Sequence, residues 1–88
     1  MPAKNERVNA EKIMNKTVVS QSGKTFGQID DLIFDSSSGE IVYLVLKNAT
    51  PYAQTYNLEK TTDGRPRIPY NSVVAVGDFI VLAEEDIV

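Results

Sequence analysis

Apolar residues rich in β-formers fill residues 26–34 and 41–46, and the linker between them, Asp35-Ser36-Ser37-Ser38-Gly39-Glu40, is dense in turn residues. That arrangement predicts a long antiparallel hairpin. Its second arm is apolar at every position, so a strand there sets Ile41, Tyr43 and Val45 on one face and Val42, Leu44 and Leu46 on the other. Such a strand needs cover on both sides, either from a sheet curled into a small barrel or from a second chain on the outer face.

The rest of the chain supplies shorter signals of the same kind. Asn9 ahead of Ala10-Glu11-Lys12-Ile13-Met14 predicts an N-capped helical turn, and the β-branched run at 17–20 predicts a strand that turns through Gln21-Ser22-Gly23-Lys24. Gly27 inside the next strand, and the broken alternation at Asp30 and Asp31, predict a bend and a bulge. Residues 52–58 are expected as a weaker, more exposed strand, Asp63-Gly64 as a turn, and Arg67-Ile68-Pro69-Tyr70 as a short extended piece. Two apolar strands at 73–76 and 79–82, separated by Gly77-Asp78, predict a tight closing hairpin. The sum is an all-β fold: a small antiparallel β-barrel of about six short strands with at most one helical turn. Residues 1–8 read as a mobile tail, 9–83 as the domain, and 84–88 as an acidic and apolar C-terminal tail.

Bulk properties narrow the function. A chain of 88 residues has a folded surface of about 5100 Å² and buries somewhat over ~60% of its unfolded surface. Its core is thin, so an added interface of roughly 800 Å² per partner matters to it. Cysteine and histidine are both absent, which excludes disulfides, thiolate metal sites and thiol or imidazole catalysis. The longest apolar run has six residues, against about 20 for a membrane span, so a soluble cytoplasmic protein without membrane insertion is expected. A net charge of −3 and an isoelectric point near 4.8 weigh against nucleic acid as a main partner.

Candidate chemistry is sparse. Asp30, Asp31, Asp35 and Glu40 form the densest carboxylate group, but Ser36-Ser37-Ser38-Gly39 lacks the regular oxygen ligands of a calcium loop. Turn capping by Asp35 and local hydrogen bonding by Asp31 are the expected roles. No phosphate-cradling glycine loop occurs, so neither enzyme activity nor any cofactor or metal is expected. Asn15-Lys16-Thr17 matches an acceptor pattern for glycosylation and carries no weight without a secretion signal. The more informative set comprises side chains in excess of a small core: Tyr52, Tyr56, Tyr70, Phe79, Ile87 and Val88. Aromatic residues on a small surface are enriched at interfaces, and these six are the candidate protein-binding residues.

The order of motifs resembles the PRC-barrel domain. The matching residues are Gly23, then Phe26-Gly27-Gln28-Ile29-Asp30-Asp31-Leu32-Ile33-Phe34-Asp35, then Gly39-Glu40-Ile41-Val42-Tyr43-Leu44-Val45-Leu46, and later Ile68-Pro69 with Val76-Gly77-Asp78-Phe79-Ile80-Val81. The domain occurs in the photosynthetic reaction-centre H subunit, in the C-terminal half of the ribosome maturation factor RimM, and in short free-standing archaeal proteins. The chain shows neither the membrane helix of the first nor the N-terminal domain of the second, which leaves the free-standing form. That resemblance implies an adaptor similar to archaeal cell-division proteins of the CdpB type, acting at the division site. Its implied partners are the FtsZ anchor SepF or a second PRC-barrel protein, and its implied assembly is a homodimer or filament. The resemblance to RimM implies an alternative, a ribosome-maturation or RNA-processing module using Arg65-Pro66-Arg67 with Lys24 and Tyr70.

Overall fold

A computed structural model describes residues 10–87. The tail expected over residues 1–8, the capping role of Asn9 and the candidate Val88 lie outside the described residues. Helical turn α1 (Ala10–Ile13) leads into strands β1 (Thr17–Ser20), β2 (Thr25–Phe34) and β3 (Ile41–Lys47). A second helical turn, α2 (Pro51–Gln54), precedes β4 (Glu59–Lys60) and β5 (Pro66–Pro69). A 3-10 turn (Tyr70–Ser72) connects to β6 (Val73–Val76) and β7 (Phe79–Leu82), and a further 3-10 turn (Glu84–Asp86) follows.

All seven strands form one sheet in the order β4-β5-β3-β2-β1-β7-β6. The predicted fold class stands, with four differences of detail. Among the described residues there are seven strands where about six are expected, the extra one being the two-residue β4. Two α-helical and two 3-10 turns replace the single helical turn. One pairing is parallel, β1 against β7, from Thr17 beside Phe79 to Ser20 beside Leu82. The hydrogen-bonded sheet is curled and does not close on itself, because β4 and β6 end it as separate edges. Curling is forced by the link between β5 and β6. In a flat sheet those strands would lie about 24 Å apart, and the four residue steps from Pro69 to Val73 span at most ~14 Å.

The bend sits in β2. Its first residues pair with β1, from Thr25 beside Val19 to Gln28 beside Thr17, while Gln28 onward pairs with β3 as far as Phe34 beside Ile41. The register slips at Phe26 on the β1 side and at Asp30 on the β3 side, the second being the expected bulge. Gly27 lies between them. A Cβ placed there would sit 2.9 Å from the Lys47 carbonyl oxygen and 3.3 Å from the Ala49 Cα, so only glycine lets the two backbones approach.

One core fills the curl: Phe26, Ile29, Leu44, Leu46, Ile68, Ile80 and Leu82 are buried, with Ile13 of α1 closing one end. Val45 is buried on the opposite face of β3, so the central strand is covered on both sides there. Cover fails toward the hairpin tip, where a third register slip displaces Val42 and leaves it exposed.

The strand expected over 52–58 is a helical turn instead. Thr50 caps it, its Oγ1 accepting from the Ala53 amide at 3.1 Å, and Pro51 presets the first helical residue. That cap outweighs the β propensity of the two tyrosines. At helical spacing, Tyr52 and Tyr56 fall on one face and both pack on the Phe26 ring, with centroids at 5.5 and 5.4 Å.

Two substitutions test this architecture. Leu44→Asp places an unpaired charge in the core at a cost of several kcal/mol, against a total stability of about 5–15 kcal/mol, and the far-ultraviolet circular dichroism of the variant should be that of an unfolded chain. Gly27→Ala should retain the fold while lowering the urea midpoint, by about 1–3 kcal/mol of stability; an unchanged midpoint would show that the close approach is not rigid.

Candidate functional site

Four of the five described candidates are partly built into the fold. Tyr52, Tyr56, Tyr70 and Ile87 are half-buried and pack against the core cluster. Phe79 differs from them, being 54% exposed at the start of β7. The register explains how: Thr17 beside Phe79, Val19 beside Val81 and Ala75 beside Val81 are paired positions, and paired residues share a face. Val18, Ile80 and Leu82 take the inner face, which leaves Val19, Ala75, Phe79 and Val81 on the outer one. The apolar patch ends at Val74 on β6, itself exposed. Sequence reasoning missed Val74, because a four-residue apolar strand gives no sign of which member a bulge turns outward. Phe34 and Val42 at the tip of the β2–β3 hairpin form a second, smaller exposed apolar group.

The tyrosines meet a residue absent from the expected set. Glu84, in the last 3-10 turn, accepts hydrogen bonds from the hydroxyls of Tyr52 and Tyr56, the latter at 3.1 Å, and from the Ser22 hydroxyl at 2.8 Å. Ser20, buried at the end of β1, shares a 2.9 Å contact with Ser22. Lys24 lies over the Tyr52 ring at 5.9 Å. These hydrogen bonds, the one from Tyr52 foremost, hold the Glu84 carboxyl at about 2, below its usual 4.5. Tyr52 is pushed upward by the same contact. A tyrosine held more firmly protonated and a carboxylate held more firmly ionised are the opposite of an acid–base pair poised near neutrality. The arrangement fastens the segment after β7 onto the β1–β2 turn and α2.

Neither the carboxylates nor the arginines gather into a reactive group. Asp35 accepts from the Ser37 and Ser38 amides at 2.7 and 3.2 Å and from the Ser37 hydroxyl, hydrogen bonds that lower its pKa and cap the hairpin loop. Asp31 accepts from the Leu32 amide at 2.8 Å, and Asp30 pairs with Arg65 at 2.7 Å. Among the described residues no three of His, Cys, Asp and Glu converge to hold a metal. Arg65 also pairs with Asp63 at 2.9 Å, while Arg67 pairs with Glu59 at 2.9 Å and stacks on the Tyr43 ring at 4.2 Å. Both arginines of the RNA alternative thus already pair with carboxylates, which lessens the uncompensated charge they offer to a phosphate. Tyr70 has its hydroxyl buried without a partner among the described residues, and burial pushes its pKa up. A shallow cavity of about 290 Å³, lined by Asn57, Leu58, Glu59, Arg67, Pro69 and Ile87, is at the lower limit of small-molecule sites. No helix among the described residues is long and apolar enough to cross a membrane.

The Glu84 contacts make a pH prediction. A carboxyl depressed in the folded state contributes stability that is fully present above its unfolded value near 4.5 and is lost as pH falls through the folded value near 2. Glu84→Gln should therefore melt at a lower temperature than the parent at pH 7, and the gap should narrow progressively as the pH is taken below 4.5. Melting curves recorded across that range check it; a gap independent of pH would show that the contacts are not charge-assisted.

Comparison with known proteins agrees with the geometry. An uncharacterized protein of Methanocaldococcus jannaschii is similar to this chain, 26% identical over 83 residues that cover 93% of this chain and 88% of the relative. The family model of the PRC-barrel domain matches residues 5–86, which include every strand of the curled sheet. The chain belongs to the PRC-barrel domain family.

Proposed function

We propose that this PRC-barrel protein is a non-enzymatic adaptor that self-associates and binds a protein partner. The observation that carries the reading is the exposed Phe79, set on the outer sheet face that also carries Val19, Ala75 and Val81. The chemistry of the described residues supports it: the carboxylates cap loops or pair with arginines, and the tyrosines anchor a turn. The folded surface is 5415 Å², so two standard faces of ~800 Å² each would occupy about a third of it. Room exists for self-association and one further partner. Its resemblance to free-standing archaeal adaptors makes FtsZ-based cell division the proposed setting and SepF the partner to try first. The ion-paired arginines speak against the RNA-processing alternative.

Light scattering coupled to size exclusion, across a concentration range and with or without SepF from the same source, tests both halves. The expected result is a mass that rises with concentration to at least a dimer, and co-elution with SepF. Phe79→Asp should weaken association at least about tenfold, the equivalent of ~1.4 kcal/mol, with the circular dichroism spectrum unchanged. A protein monomeric at every concentration that ignores SepF would remove the adaptor reading.

A further inference from the structure

The sheet has two edges, and they are finished differently. At one end stands β4, whose two residues Glu59 and Lys60 are both charged and exposed. Short length and charge are the usual means of keeping an edge from pairing with another chain. At the other end stands β6, Val73-Val74-Ala75-Val76, with no charge and no proline. Its one protective device is a register slip at Val74, which turns that side chain outward to 41% exposure.

Hydrogen bonds at the two ends of β6 fix which way its backbone faces. The Ala83 amide donates to the Ser72 carbonyl at 2.8 Å, and the Gly77 amide donates to the Phe79 carbonyl at 3.0 Å. These bonds flank the pairs Val73 with Leu82 and Val76 with Ile80, so both are non-hydrogen-bonded pairs of the β6–β7 ladder. In such pairs the residue's own amide and carbonyl point away from the partner strand. The Val73 amide is turned back onto the Tyr70 carbonyl. The Val73 carbonyl and both backbone groups of Val76 are therefore directed away from β7, and among the described residues no strand lies alongside β6 to receive them.

We propose that two copies of this chain pair β6 against β6 in antiparallel fashion about a two-fold axis, joining their sheets into one. The proposal rests on the self-association reading above and specifies its geometry. A second copy is the occupant that the backbone geometry favours. A two-fold antiparallel arrangement sets the Val76 amide of each copy against the Val73 carbonyl of its twin, so the axis makes the same hydrogen bond twice. The same axis sets Val73 of one strand beside Val76 of the other and brings Val74 of one copy beside Ala75 of its twin, continuing the outer apolar face across the seam. A four-residue edge with these side chains makes a contact smaller than a standard interface, so the dimer is expected to be concentration-dependent.

Charge pairing across the axis gives the test. Val74 is exposed, so Val74→Lys and Val74→Glu should each fold as the parent does by circular dichroism. Each alone places like charges near one another across the axis and should weaken dimerisation by at least about tenfold. An equimolar mixture of the two should recover the dimer by light scattering. Hydrogen exchange on the unmodified protein is the second measurement: the Val76 amide should exchange freely at low concentration and become protected as dimers form. Charge variants that dimerise as the parent does, a mixture that stays monomeric, or a Val76 amide indifferent to concentration would each overturn edge pairing. If Phe79→Asp still disrupts the dimer in those cases, self-association stands and only its geometry falls. A parent protein that never dimerises would overturn both.

Discussion

The close approach of β2 to the end of β3 at Gly27 governs the architecture, because β2 belongs to both halves of the sheet and shares only Gln28 between them. Before that residue the strand serves β1 and, through it, β7 and β6; after it the strand serves β3, β5 and β4. A straight strand would hold the halves nearly coplanar and leave Phe26 and Ile29 without cover. Slips on either side of Gly27 turn the strand, and its missing side chain lets the Lys47 carbonyl come close enough to hold the turn. The curl, the single core and the outer position of Phe79 all follow from that bend.

Much of this was legible in the residues. Loss of alternation at Asp30, a glycine inside an apolar strand and Gly77-Asp78 between two apolar runs each have a local cause, and each appears where the local cause puts it. Two features were not legible, for different reasons. The segment around Tyr52 and Tyr56 carries β propensity, yet Thr50-Pro51 is a stronger local signal for a helical start, and packing on Phe26 rewards the helical spacing. The parallel contact of β1 with β7 has no local signature, since it joins strands from opposite ends of the sequence.

The candidate residues divide along the same line. Composition identified the surplus aromatics but not their destinations, which depend on tertiary pairing. Tyr52 and Tyr56 find Glu84 across the fold, and an acidic residue near a chain end gives no hint of that role in sequence. Phe79 keeps its exposure because strand register, and not its own hydrophobicity, decides the face it occupies. On a sheet, register is the quantity that separates an anchor from a contact residue.

The pairing of β1 with β7 also orders events during synthesis. Thr17 through Ser20 leave the ribosome well before their parallel neighbours, Phe79 through Leu82, which lie four strands later in the sequence than β3. Until then β1 has only β2 beside it, and one side of its backbone stays without strand partners. Contacts so distant in sequence make folding slow relative to local elements. The sheet is therefore completed only after translation has passed its last strand, and the nascent chain spends its synthesis with an unfinished sheet whose β1 side is open to any passing strand.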